Sequence, residues 1–136
     1  MNQSVKISRI ISICLLFLTG INALVAGLLF IIDPGGHKMG MSTTYLSHSP
    51  FSTFIIPGIT LFVVNGLLNI VVAICCINKY KYYPSLIIVQ GLLLSGWIII
   101  QVLFVKDFNS LHLIMLLIGA YLFASGLFLK KKLSIL

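Results

Sequence analysis

The sequence predicts an all-α integral membrane protein, a single domain of four transmembrane helices in an antiparallel bundle with a structured outer loop between the first two. Three observations carry this. Hydrophobic residues make up 60% of the 136-residue chain and charged residues 8%, whereas soluble domains run nearer a half and a quarter. Four long apolar runs contain no Asp, Glu, Lys or Arg, and seven of the nine cations flank those runs on one side. A chain this small has too much surface for its volume to hide so many apolar side chains from water, so the bilayer is its solvent. The same composition excludes a soluble enzyme, a nucleic-acid-binding domain and a disordered tail.

The runs cover 10–32, 54–77, 86–105 and 111–129, with lengths of 23, 24, 20 and 19 residues. At 1.5 Å of rise per residue, about 20 residues cross an apolar core of about 30 Å. Inside lipid only helices and closed barrels satisfy the backbone, and the short alternating segments of barrel strands are missing. The first run follows Lys6 and Arg9, as an export signal would. A signal's apolar region spans about 7–15 residues and ends at a small-x-small site, but this one continues past Ala26 to Asp33-Pro34. It is expected to be a retained helix.

The first connection, 33–53, is the longest. Asp33-Pro34-Gly35-Gly36 is turn chemistry, and Ser49-Pro50 has the form of an N-cap followed by a first-turn proline. An ordered cap is expected, with Tyr45, Leu46 and Phe51 as its apolar underside. In the second helix, Pro57-Gly58 predicts a kink or a late start, and the Ser49-Pro50 signal puts the helix's beginning at Pro50 with a bend near Thr53 before it enters the lipid. The connections 78–85 and 106–110 are short, which forces antiparallel neighbours; helices two, three and four are expected to form a tight sequential set.

Orientation follows from the cations, since Lys and Arg near helix ends are retained on the cytoplasmic side. Lys6, Arg9, Lys79, Lys81 and Lys130-Lys131-Lys132 share one side, while Lys38 and Lys106 on the other are balanced by Asp33 and Asp107. The expected location is the cytoplasmic membrane, multi-pass, with both termini cytoplasmic. Lipid is the natural partner of this basic face; seven charges scattered on short flanks make no groove for nucleic acid.

Without a hydrophobic drive between helices, contact faces in lipid are marked by small residues and by amides or hydroxyls. Ala23/Gly27, Gly91/Ser95 and Ala120/Ala124 supply small pairs, and Gly66 lies beside Asn65 and Asn69. Asn22, Asn65, Ser95 and Tyr121 fall near mid-membrane, with Asn69 and Gln90 closer to the cytoplasm. These six form the expected polar core, either a zipper fixing helix register or a ligand site.

Specific chemistries find few parts. His37-x-Met39-x-Met41 groups one imidazole and two thioethers, ligands that suit copper, with His48 and His112 at the same level. Methionines in such a loop ordinarily anchor in lipid, and His37, Met39 and Met41 remain the metal candidates beside that reading. Cys14, Cys75 and Cys76 form no C-x-x-C pair and are expected to be buried small residues. Proton-coupled export needs an intramembrane carboxylate, and the runs contain none. No cofactor is expected.

The run Met39-Gly40-Met41, Leu46, Ser49-Pro50-Phe51, Phe54 and Ile56-Pro57-Gly58 resembles a pattern in small four-span bacterial membrane proteins of uncharacterised function, and the first helix is similar to the DoxX-like group. The resemblance implies a four-helix integral membrane protein and brings over no catalytic residue. The expected function is non-enzymatic, an accessory or assembly partner of other membrane proteins or of a second copy. The alternative is a small carrier or ligand-binding membrane protein with the polar core as its site and the outer loop as its lid.

Orientation is directly testable. A single thiol introduced at Ser47 should react with an impermeant reagent in intact cells; labelling only after the inner face is opened would reverse the topology.

Overall fold

The computed structural model describes residues 3–37, 53–105 and 110–135. They form four long helices: α1 (Gln3–Ile32), α2 (Ile55–Ile77), α3 (Tyr83–Val105) and α4 (Ser110–Ile135). All four are long and apolar enough to cross a membrane, and no strand occurs among the described residues. The expected all-α four-helix membrane bundle is the architecture observed.

Helix ends extend beyond the apolar runs. α1 starts at Gln3 rather than residue 10, and α4 continues through Lys130-Lys131-Lys132 to Ile135. Their basic turns keep the helical ladder, because long cationic side chains lay apolar stems along the bundle while their heads stay in water. α3 starts at Tyr83 with Pro84 in its first turn, where a missing N–H costs nothing. α2 closes on Lys79, whose φ of 53° is left-handed. The Tyr80 N–H reaches the Cys75 carbonyl at 2.9 Å and the Lys79 N–H reaches that of Cys76 at 3.2 Å, a Schellman closure with lysine where glycine is usual.

The beginning of α2 takes the late-start form. Thr53 and Phe54 make a bend, the helix opens at Ile55, and Pro57 falls in its first turn, where no intrahelical donor is required. The Phe54 N–H bonds the Pro34 carbonyl at 2.8 Å and its ring stacks on Phe30 with centroids 4.8 Å apart. These contacts tie the turn after α1 to the head of α2. The remainder of the expected cap, including Met39, Met41, Tyr45, Leu46, His48, Ser49-Pro50 and Phe51, lies outside the described residues.

Packing runs in two antiparallel pairs, α1 with α2 and α3 with α4; contact between α2 and α3 is sparser, as is that between α1 and α4. The expected tight set of helices two, three and four is therefore corrected. A short connection makes neighbours antiparallel, but close approach depends on small residues. A Cβ built on Gly27 would lie 2.8 Å from the Gly58 carbonyl oxygen, and one on Gly91 would lie 2.6 Å from the Phe123 nitrogen and 2.7 Å from the Gly119 carbonyl oxygen. On α4 the contact falls to Gly119 and Gly126, one heptad apart, whereas Ala120 and Ala124 are exposed. The fourth helix thus presents a neighbouring stripe to the one expected.

The apolar core, with Val5, Leu16, Val72, Cys76, Tyr83, Ile87, Leu122 and Leu129, gathers in the half of the bundle near the chain termini. All four helices meet there. The pair contacts give a sharp contrast in prediction: Gly91→Ala should lower stability by about 1–3 kcal/mol through overpacking. Gly96, with nothing within 4 Å of a Cβ, should accept Ala with no loss or a gain of up to about 1 kcal/mol. Thermal unfolding in detergent measures both, and equal losses would refute the close contact at Gly91.

Candidate functional site

The centre of the bundle holds a chain of hydrogen bonds that crosses three helices. Thr19 on α1 donates its hydroxyl hydrogen to its own helix, at 2.8 Å to the Leu15 carbonyl and 3.3 Å to that of Leu16. Its oxygen is then left as an acceptor, and Asn69 of α2 donates to it through Nδ2 at 3.1 Å. The same amide nitrogen reaches the Asn65 carbonyl at 2.7 Å. From α3, Gln90 donates through Nε2 to Asn69 Oδ1 and to the Val64 carbonyl, the latter at 3.3 Å. Both hydrogens of each of these amides are used.

Two backbone carbonyls take part because α2 is not α-helical throughout. Leu61–Leu67 follows π-type bonding, and the Leu68 N–H returns to the Val63 carbonyl. Such a widened turn loosens the regular ladder and often marks a functional position in a helix. Here it makes the Val64 and Asn65 carbonyls available to side chains. Asn65 itself is 1% exposed, and neither Oδ1 nor Nδ2 has a hydrogen-bond partner. In hydrocarbon an unmatched amide carries a real cost, which makes Asn65 the anomalous residue of the site.

Of the six expected polar-core residues, the structure joins Asn69 and Gln90 in the network and buries Asn65 beside them. Asn22 is exposed on the outer surface of α1; Ser95 is half-buried at the Gly119 contact, and Tyr121 is half-buried outside the network. Thr19 was missed. Its signal was present as a seven-residue recurrence on α1, with Ser12 before Thr19 and Gly20 before Gly27, all buried. A second polar cluster also escaped expectation: Ser125 of α4 pairs with Ser8 at 2.6 Å and with Ser12 at 2.9 Å, and Arg9 donates to the Cys76 carbonyl at 3.3 Å.

Beyond Thr19 towards the other end, α1 and α4 part. A groove of about 450 Å³ opens sideways between them, lined by Leu18, Thr19, Asn22 and Val25 on α1 and by Ile114 and Met115 on α4. It lies within the segments long and apolar enough to cross a membrane. Thr19 belongs both to this groove and to the buried network.

Metal and thiol chemistry find little on the described surface. His37 is exposed, Met39 and Met41 lie outside the described residues, and no three His, Cys, Asp or Glu side chains converge among those described. The cysteines are free; Cys76 is buried as expected, but Cys14 is exposed and Cys75 only half-buried, because they fall on different faces of their helices. None of Thr19, Asn65, Asn69 and Gln90 titrates near neutral pH, so the central site supplies dipoles and hydrogen bonds. Comparison with protein-family models, curated proteins and solved structures finds no match.

The two asparagines should separate under the same truncation. Asn69→Ala breaks the link between α1 and α3 and orphans a Gln90 donor, and should cost about 1–3 kcal/mol. Asn65→Ala removes an amide that bonds nothing and should cost less than half as much. Thermal melts in detergent decide it, and the reverse order would dismantle the network as described.

Proposed function

We propose that this chain is a non-enzymatic accessory protein of the cytoplasmic membrane that assembles laterally with another membrane protein or a second copy, its basic end and both termini on the cytoplasmic side. The orientation rests on the cation distribution, which retains the flanks of α1, α2, α3 and α4 on one side. The assembly role rests on one observation, the exposed amide of Asn22 in the middle of α1. Hydrocarbon offers that group neither donor nor acceptor. Amides in such positions are matched by a hydrogen bond to a neighbouring helix, and the groove beside Asn22 provides a recess for that helix's side chains. The DoxX-like resemblance adds an expectation of fold and no residue role.

A second reading is supported by Asn65. A buried, unmatched amide in a π-type turn also suits a small carrier or ligand-binding protein, in which a polar solute completes its hydrogen bonds. Such a protein would lose its response to ligand on Asn65→Ala while remaining folded.

Photo-crosslinking separates the readings. A photoreactive side chain at Leu18, inside the groove, should capture a discrete protein in native membranes, whereas one at Leu92, exposed on α3, should capture lipid. Asn22→Leu should reduce the protein adduct several-fold. Lipid adducts alone from both positions would end the assembly proposal.

A further inference from the structure

The end of the bundle that carries both termini gathers positive charge. Lys6, the Lys79 and Lys81 turn and the Lys130-Lys131-Lys132 run are exposed there. Among the described residues the one acidic side chain, Asp33, follows α1 at the opposite end. The lysines reach water on long flexible stems. Arg9 does not.

Arg9 is half-buried between helices. Its Nη1 donates to the Cys76 carbonyl, and its Nε is buried with no hydrogen-bond partner. It lies close enough to Cys76 and Tyr83 to act on both electrostatically. Cys76 is one residue from the end of α2, and Tyr83 opens α3. The guanidinium therefore sits at the level where helices leave the hydrocarbon. A carbonyl takes one of its hydrogen bonds but cancels none of its charge, and a cation withdrawn from water needs an anion.

We propose that Arg9, where α1 meets the end of α2 and the start of α3, anchors the phosphodiester headgroup of an anionic phospholipid, with the neighbouring lysines adding longer-range attraction. The guanidinium fork matches phosphate in two-point geometry and is less strongly hydrated than an ammonium. Ile10 and Ile77, chain neighbours of Arg9 and Cys76, are exposed and offer an apolar surface to the acyl chains. Free phosphate has no chains to use that surface. A zwitterionic lipid brings a cation that the lysines repel.

The test uses the full chain purified in nonionic detergent, with thermal unfolding and native mass spectrometry after addition of phosphatidylglycerol, phosphatidylcholine or inorganic phosphate at equal ionic strength. Phosphatidylglycerol alone should raise the melting temperature and remain bound. Arg9→Gln should weaken its retention by more than about tenfold, against about fivefold for Lys6→Gln, the share of an ordinary flank cation. Where Arg9→Gln does not fold, Arg9→Lys keeps the charge and a donor for the Cys76 carbonyl; it should lose most of the retained lipid, whereas Lys130→Arg should lose none. An equal response to phosphatidylcholine or to inorganic phosphate would overturn the proposal. So would Arg9 variants that retain as much lipid as the lysine variants.

Discussion

Backbone contact at glycine is the constraint on which the rest of this bundle depends. Lipid tails are as apolar as leucine, so burying one apolar helix against another releases no water and is driven by dispersion and hydrogen bonding. Both fall off steeply with distance. Where Gly27 meets Gly58 and Gly91 meets Gly119, a single Cβ would already intrude on a neighbouring backbone. The α1–α2 and α3–α4 pairs are thereby the two closely packed units.

Between the pairs the bundle is held differently in its two halves. Near the termini the apolar core, the Ser8, Ser12 and Ser125 hydroxyls and the Arg9 contact with Cys76 bring the four helices together. At mid-membrane the connection narrows to Gln90, which reaches across to Asn69 and the Val64 carbonyl. Past that level the groove lies between α1 and α4. Thr19 marks the transition, because its hydroxyl serves the buried network while the residue also lines the open side. Any partner seated in the groove would lie one hydrogen bond away from the interhelical lock, and that proximity offers a physical route by which docking and internal packing influence each other.

How much of this was legible depends on the physical scale of each feature. The spans were readable because transfer of about 20 apolar residues into lipid is a large, additive signal. Helix ends were placed too far inward at α1, α3 and α4, since interfacial turns such as Gln3–Arg9 mix charge with apolar stems and lose the hydropathy signal while keeping the helix. Face assignment was subtler. Ala120 and Gly119 differ by one position, equivalent to about 100° of helix rotation, and four-residue spacing alone does not say which stripe meets α3. Asn22 was expected in the core and Thr19 was not among the expected residues, whereas burial followed the seven-residue recurrence of small and hydroxyl side chains. The π-type segment at Leu61–Leu67 has no local sequence signature of its own, and the contact of its Val64 carbonyl with Gln90 of α3 exists only in the packed bundle.

Asn65 and Arg9 are instructive because they are unmatched in opposite ways. Asn65 is neutral and nearly inaccessible, and neither atom of its amide has a hydrogen-bond partner, so its cost falls inside the protein. Arg9 carries charge, reaches the level where helices leave the bilayer, and has a buried Nε with no hydrogen-bond partner, so on the proposal above its cost depends on what the membrane supplies. Desolvation of an amide is roughly fixed, whereas that of a guanidinium falls sharply once an anion approaches. On the Arg9 proposal, stability at the basic end therefore varies with the charge of the surrounding lipid more than stability at mid-membrane does. On the Arg9 proposal, the compact half of the bundle rather than the groove is where the composition of the bilayer would act on stability.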